Sequence, residues 1–193
     1  MRQSREAKAE THQAIVTEAA RLFRERGIEG TSVGDVMQAA NKTHGGFYRH
    51  FDSKESLLAA SLETAFADML AFMSEGFAHT PRDEAVPRFI TAYLSPSMVE
   101  NVGGGCPVAA LAGDALRSTE AVREVFGAGT RRMIQTIANT LEGPEAERTQ
   151  RAAQIFAMAA GALMIARASD ADTAEMMLQA ARTAHRAGEE PTI

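Results

Sequence analysis

"TSVGDVMQAANKTHGGFYRHFDSKESLL", residues 31–58, decides the fold. Thr31 or Ser32 can cap a helix whose inward residues are Val33, Val36, Met37 and Ala40, since a hydroxyl there accepts from an N–H that has no helical partner. Asn41 suits a left-handed turn, and Thr43 can cap a further short helix. Two short helices across such a turn make a helix-turn-helix, here about residues 33–52. The second of them carries Gly45 and Gly46 side by side, each costing a helix interior roughly 1 kcal/mol relative to alanine. Bare backbone lets a helix press close to base edges in the major groove, with hydroxyls, imidazoles and cations around it on the phosphates.

Outward from this stretch, apolar residues recur at spacings of three and four. Residues 11–26 read as an amphipathic helix with Ile15, Ala19, Leu22 and Phe23 inward, stopped by Gly27. Asp52 or Ser53 caps a long helix that buries Leu57, Leu58, Leu62, Phe66, Met69 and Phe72 and runs to about Gly76. Turn signals divide the remainder into helices at about 83–95, 107–117, 119–141, 145–167 and 172–186, the last capped by Asp172 and followed by a frayed tail from Gly188. There is no alternating run of β-branched residues and no Asn-Gly or Asp-Gly hairpin. The fold is therefore all-α, about nine helices, with domains at 10–70 and 71–193.

Composition sets the class. A chain of 193 residues, 45% hydrophobic and 23% charged, is an ordinary globular protein. The single cysteine, Cys106, cannot close an internal disulfide, and the first 20 residues are polar where a signal peptide is apolar, so a cytoplasmic location is expected. The apolar run 155–166 is too short to span a bilayer, and no membrane partner is expected. The net charge of −5 is uneven: residues 1–60 hold nine Lys+Arg and eight Asp+Glu of the totals 20 and 25, including all three lysines, Lys8, Lys42 and Lys54. A near-neutral N-terminal third on an acidic remainder is compatible with one DNA-facing end.

The 31–58 stretch closely resembles the DNA-binding segment of the TetR family of transcriptional regulators, whose pattern is Ala-Gly-Val-Ser-x-Gly-x-Leu-Tyr-x-His-Phe followed by a lysine before a long helix. The resemblance covers about residues 10–60. It implies a homodimeric, all-helical repressor or activator that binds double-stranded DNA at a palindromic operator and releases it when a small-molecule effector enters the second domain. It further implies that Thr43 caps the recognition helix and touches phosphate, His44 faces bases, Gly45 is the family glycine, Phe47 is buried, Tyr48 bonds phosphate, His50 and Phe51 form the His-Phe pair, and Lys54 meets the DNA backbone. Ser32, Gly46 and Arg49 complete the expected contact set. Two departures stand out. Asn41 replaces a turn glycine, and Lys42 replaces an apolar residue, so it must snorkel outward or reach a phosphate. With so few side chains left to read bases, close backbone approach, thymine methyls and DNA shape should carry much of the specificity.

In the second half, "VGGGCPVAALAGDALR", residues 102–117, puts Cys106 near a helix cap and Pro107 at its first position. Two readings stand: a sensor cysteine answering oxidants or electrophiles, its thiolate favoured by the helix N-terminus, or a small buried residue that admits a tight helix start. The five histidines show no metal-ligand spacing, and Gly103 to Gly105 follows no strand and is no phosphate loop, so neither metal nor cofactor is expected. Phe89, Tyr93, Met98, Phe126, Met133 and Met158 are candidates for an apolar effector pocket, and equally for plain core. The last two helices, with Met158, Leu163, Met164, Met176 and Met177, are the expected homodimer interface. Two alternatives are a protein-interaction module without DNA binding and an enzyme with Cys106 as nucleophile; no recognisable motif joins His79 or His185 to Cys106, so no enzymatic activity is expected.

Overall fold

The computed structural model describes the backbone of residues 5–187 and the side chains of residues 5–184. The tail expected from Gly188 lies outside the described residues. The order of elements is α1 (Arg5–Arg26), α2 (Val33–Ala39), a 3-10 helix η1 (His44–Arg49), α3 (Lys54–Ala78), α4 (Arg82–Tyr93), α5 (Pro96–Glu100), α6 (Pro107–Leu116), α7 (Glu120–Ala138), α8 (Glu145–Ala168) and α9 (Ala171–Ala187). Among the described residues there is no strand, and the fold is all-helical.

Four local expectations are corrected. α1 starts at Arg5 and not near residue 11, because its first turns are built from helix formers without an apolar stripe. The short α5 was not expected; Ser95 caps it through its Oγ to the Met98 N–H, and Pro96 opens it. α9 is capped by Asp170 and not Asp172: the Thr173 N–H donates to Asp170 Oδ1 at 3.0 Å, which holds that carboxyl below the usual range. The recognition segment is a 3-10 helix, joined by the Gly46 N–H to the Thr43 carbonyl and the His50 N–H to the Phe47 carbonyl at 2.9 and 2.8 Å.

The residues form two compact units, one of 1–67 with 102–129 and one of 68–101 with 130–193. This differs from a single cut at 70/71, since α6 and the first half of α7 join the N-terminal unit. That unit buries Ile15, Leu22, Phe23, Val36, Met37, Phe47, Leu57, Leu62 and Phe66. The second unit buries Tyr93, Leu94, Met133, Ile137, Phe156 and Leu163. Among the described residues α3 alone is long and apolar enough to pass for a membrane span, with a mean hydropathy of 1.3. Its side chains Leu57, Leu58, Leu62, Phe66, Met69 and Met73 are core residues of the two units, whereas Phe72, expected inward, is 40% exposed because it falls on the outer side of the helix stripe.

Candidate nucleic-acid interface

The helix-turn-helix is fixed at each joint by a specific bond. Ser32 caps α2: its Oγ accepts from the Asp35 N–H at 3.1 Å, and Asp35 Oδ2 accepts from the Ser32 N–H at 2.8 Å, a reciprocal capping box. The Ser32 bonds hold the Asp35 carboxyl below the usual range. α2 ends in a Schellman motif with Asn41 at φ 55°, where the Asn41 and Lys42 N–H groups return to the Gln38 and Met37 carbonyls at 3.0 and 2.8 Å. Asn41 thus does the work of the glycine it replaces. Ser53, not Asp52, caps α3, accepting from the Ser56 N–H at 3.0 Å.

η1 has two unlike faces. Below, Phe47 is fully buried and stacks on buried Phe51 with ring centroids 5.7 Å apart. Above, Lys42, Thr43, His44, Gly45, Tyr48 and Arg49 are exposed, Tyr48 to 69%. Thr43 occupies the cap position but makes no capping bond with its side chain, which corrects that expectation and leaves its hydroxyl outward. A Cβ at Gly45 would meet nothing within 4 Å, and one at Gly46 only Met37 Cε and Thr43 Oγ1 at an ordinary 3.6 Å. Neither glycine has a positive φ, so the protein's own packing requires neither.

Lys54 is placed differently from expectation. Its Nζ donates to the Ile28 carbonyl at 2.6 Å and ties the start of α3 to the loop after α1, so its first role is internal. His50 is half-buried: its ring lies 5.8 Å from that of His12, which stacks on Phe51 at 4.6 Å. Its Nδ1 is buried without a hydrogen-bond partner among the described residues. Burial, then the charges of His12, Lys8, Lys42 and Arg49, push its pKa below the ordinary imidazole value. The unfolded chain would bind a proton there that the folded one refuses, so this group lowers stability as pH falls below about 6.5. His12 was not among the expected site residues and Lys8 entered only through the charge count, although residues 5, 8 and 12 fall on one face of a helix.

Cys106 sits at the N-cap of α6 and is fully buried. Burial opposes the thiolate that a sensor needs. The preceding glycines have a packing reason at Gly103: a Cβ there would come 2.3 Å from Glu25 Oε1, and its carbonyl accepts from Arg24 Nε at 2.5 Å. Native protein is expected to resist maleimide and to label at Cys106 only when unfolded, a contrast that mass spectrometry reads directly. Among the described residues no group of three His, Cys, Asp or Glu side chains is placed to hold a metal ion.

The expected pocket residues are not gathered in one place. Tyr93 and Met133 are core, and Phe126 lies in the N-terminal unit with its ring edge-on to Phe66. Met98 is half-buried in α5, with its carbonyl taken by Arg167. Met158 lines a groove with residues of α8 and Ala184. Phe89 alone borders the apolar cavity of the second unit, about 350 Å³, together with Phe72, Met73, Phe77, Glu75 and Arg88.

A capped helix, a left-handed turn and an outward second helix with a bare face define a helix-turn-helix protein. Residues 15–61 match the family model described as bacterial regulatory proteins, tetR family. The HTH-type transcriptional repressor DhaR of Mycobacterium sp. (strain GP1) is 32% identical over 102 residues, 52% of this chain and 50% of that protein. The HTH-type transcriptional regulator AcrR of Shigella flexneri is 33% identical over 51% of this chain and 46% of that protein. The chain thus spans about half the length of these curated relatives. A TetR transcriptional regulator of Chloroflexus aurantiacus J-10-FL, solved as a crystal structure, superposes with a TM-score of 0.75 at 29% identity over 91% of this chain and 93% of that one. Across these comparisons the chain resembles the TetR family of transcriptional regulators, most specifically over residues 15–61.

Proposed function

We propose that the protein is a cytoplasmic, homodimeric DNA-binding repressor that reads a palindromic operator through η1 and leaves it when a small apolar molecule binds the second unit. The observation behind this reading is the outer face of η1: exposed Thr43, His44, Tyr48 and Arg49 around two glycines that the fold does not need. Phosphate contacts from Lys42, Thr43, Tyr48 and Arg49 set the register, and base edges meet His44 and the bare backbone. The apolar cavity beside Phe89 suits an aromatic effector, with Arg88 and Glu75 as its polar neighbours. Two identical half-sites require a dimer. α8 and α9 offer exposed Met164 and Met176, 47% and 61% accessible, for its interface, whereas Leu163 is spent inside its own subunit.

Binding to a duplex selected by the protein from a random-sequence library tests the reading. The affinity is expected to fall steeply with salt, and Lys42→Ala to lessen the slope of log K against log salt by about 0.9 for the one phosphate it no longer neutralises. Tyr48→Phe, which removes only a hydroxyl, should weaken binding by about 1 kcal/mol, roughly fivefold. Salt-independent binding, or selection of no duplex, would favour a protein-interaction module instead.

A further inference from the structure

The α1 and η1 helices enclose a cleft of about 510 Å³ lined by Arg5, Lys8, His12, Arg49 and His50, with Ala9 and Gln13. Among the described residues no carboxylate lines it. We propose that this cleft is a phosphate seat, in which Arg5 and Lys8 of α1 join Arg49 of η1 and His50, the residue that caps its C-terminal end, around one phosphodiester of the bound duplex. The inference rests on the DNA-binding reading above, and it extends the interface to side chains that precede the segment matching the family model.

Three observations support it. Arg5 and Lys8 are exposed near the N-terminal end of α1, where the helix dipole disfavours cations, and no ion pair is formed by either among the described residues. Arg49, also exposed and without an ion pair among them, reaches the cleft from the end of η1, so seat and recognition helix share an edge. His50 is held neutral by burial and by the surrounding positive groups, namely His12 and Lys8 from α1, Lys42 from the turn, and its neighbour Arg49. An anion in the cleft offsets that field, so binding draws a proton onto the His50 imidazole. Affinity then rises as pH falls from 8 toward 6, by up to about tenfold per pH unit for each proton taken up.

The test measures the Kd of the selected duplex against salt and pH for wild type, for the double variant Arg5→Ala with Lys8→Ala, for His50→Gln and for His44→Ala. Wild type is expected to tighten as pH falls. The double variant, which touches only exposed side chains, should keep its melting temperature, bind at least tenfold more weakly, and lose about 0.9 of salt slope per cation. His50→Gln should bind without the pH dependence, and His44→Ala should retain it. A double variant with wild-type affinity and slope overturns the seat while leaving operator binding intact; wild type that selects no duplex overturns both. Free inorganic phosphate supplies the other source of the same chemistry: if millimolar phosphate shifts the His12 and His50 ring resonances while the double variant keeps its duplex affinity, the cleft is a small-anion site and the proposal fails.

Discussion

Replacing Gly45 with leucine is expected to leave the melting temperature unchanged or higher while weakening operator binding by about 2–3 kcal/mol, roughly 30- to 150-fold. The fold offers no resistance, because the added Cβ meets nothing within 4 Å and the backbone there has no positive φ. Leucine also restricts the unfolded chain and favours helix, both stabilising. The cost falls entirely on the complex: a branched side chain between η1 and the groove floor lifts the helix by a few ångströms, and Thr43, Tyr48 and Arg49 fall short of the DNA together. Gly46→Ala should act in the same direction with a smaller effect, its Cβ in ordinary contact with Met37 and Thr43. Thermal melts paired with binding isotherms decide the matter. Full affinity in Gly45→Leu would remove close approach as the reason for the glycine pair.

The largest effects on stability are expected where α7 crosses α3 within the N-terminal unit. A Cβ at Gly129 would stand 2.3 Å from the ring of Phe66, which is fully buried and meets Phe126 edge-on at 5.7 Å. Gly129→Ala must displace a packed aromatic ring and should cost about 2–3 kcal/mol. Phe66→Ala should cost about 3–5 kcal/mol through lost burial and the cavity it leaves. The double variant puts the new methyl beside the new space, so its loss should fall short of the sum by at least about 1 kcal/mol. Urea denaturation of the four proteins gives the coupling directly. Strict additivity would mean that the two positions do not share one packing site.

What was legible in the sequence follows from the range of the forces involved. The amphipathic repeats, the stop at Gly27 and the left-handed Asn41 are local, and each appeared where the residues indicated. The character of η1 was not local: its spacing announced a helix, yet two glycines and six residues sustain only the tighter 3-10 form. The internal bond of Lys54 was not legible, because only a partner distant in sequence, the Ile28 carbonyl, reveals it. The six pocket candidates share apolar character, which core and cavity use alike, so only the three-dimensional arrangement could sort Phe89 from Tyr93 and Met133. The basic face of α1 went unread, because a helix expected to begin near residue 11 left out Arg5 and Lys8, and its meaning depended on Arg49 and His50 arriving at the same cleft.

The division of η1 into an anchored underside and an unconstrained upper side has a consequence for how such proteins diversify. Phe47 and Phe51 fix the helix, while positions 44, 45 and 49 are exposed and a side chain at 46 would meet only Met37 and Thr43 at an ordinary distance. A duplicated gene could therefore sample new operators through substitutions at these four places without first acquiring compensating changes in the core. Recognition can drift while foldability stays constant, and the descendants would differ in target long before they differ in architecture.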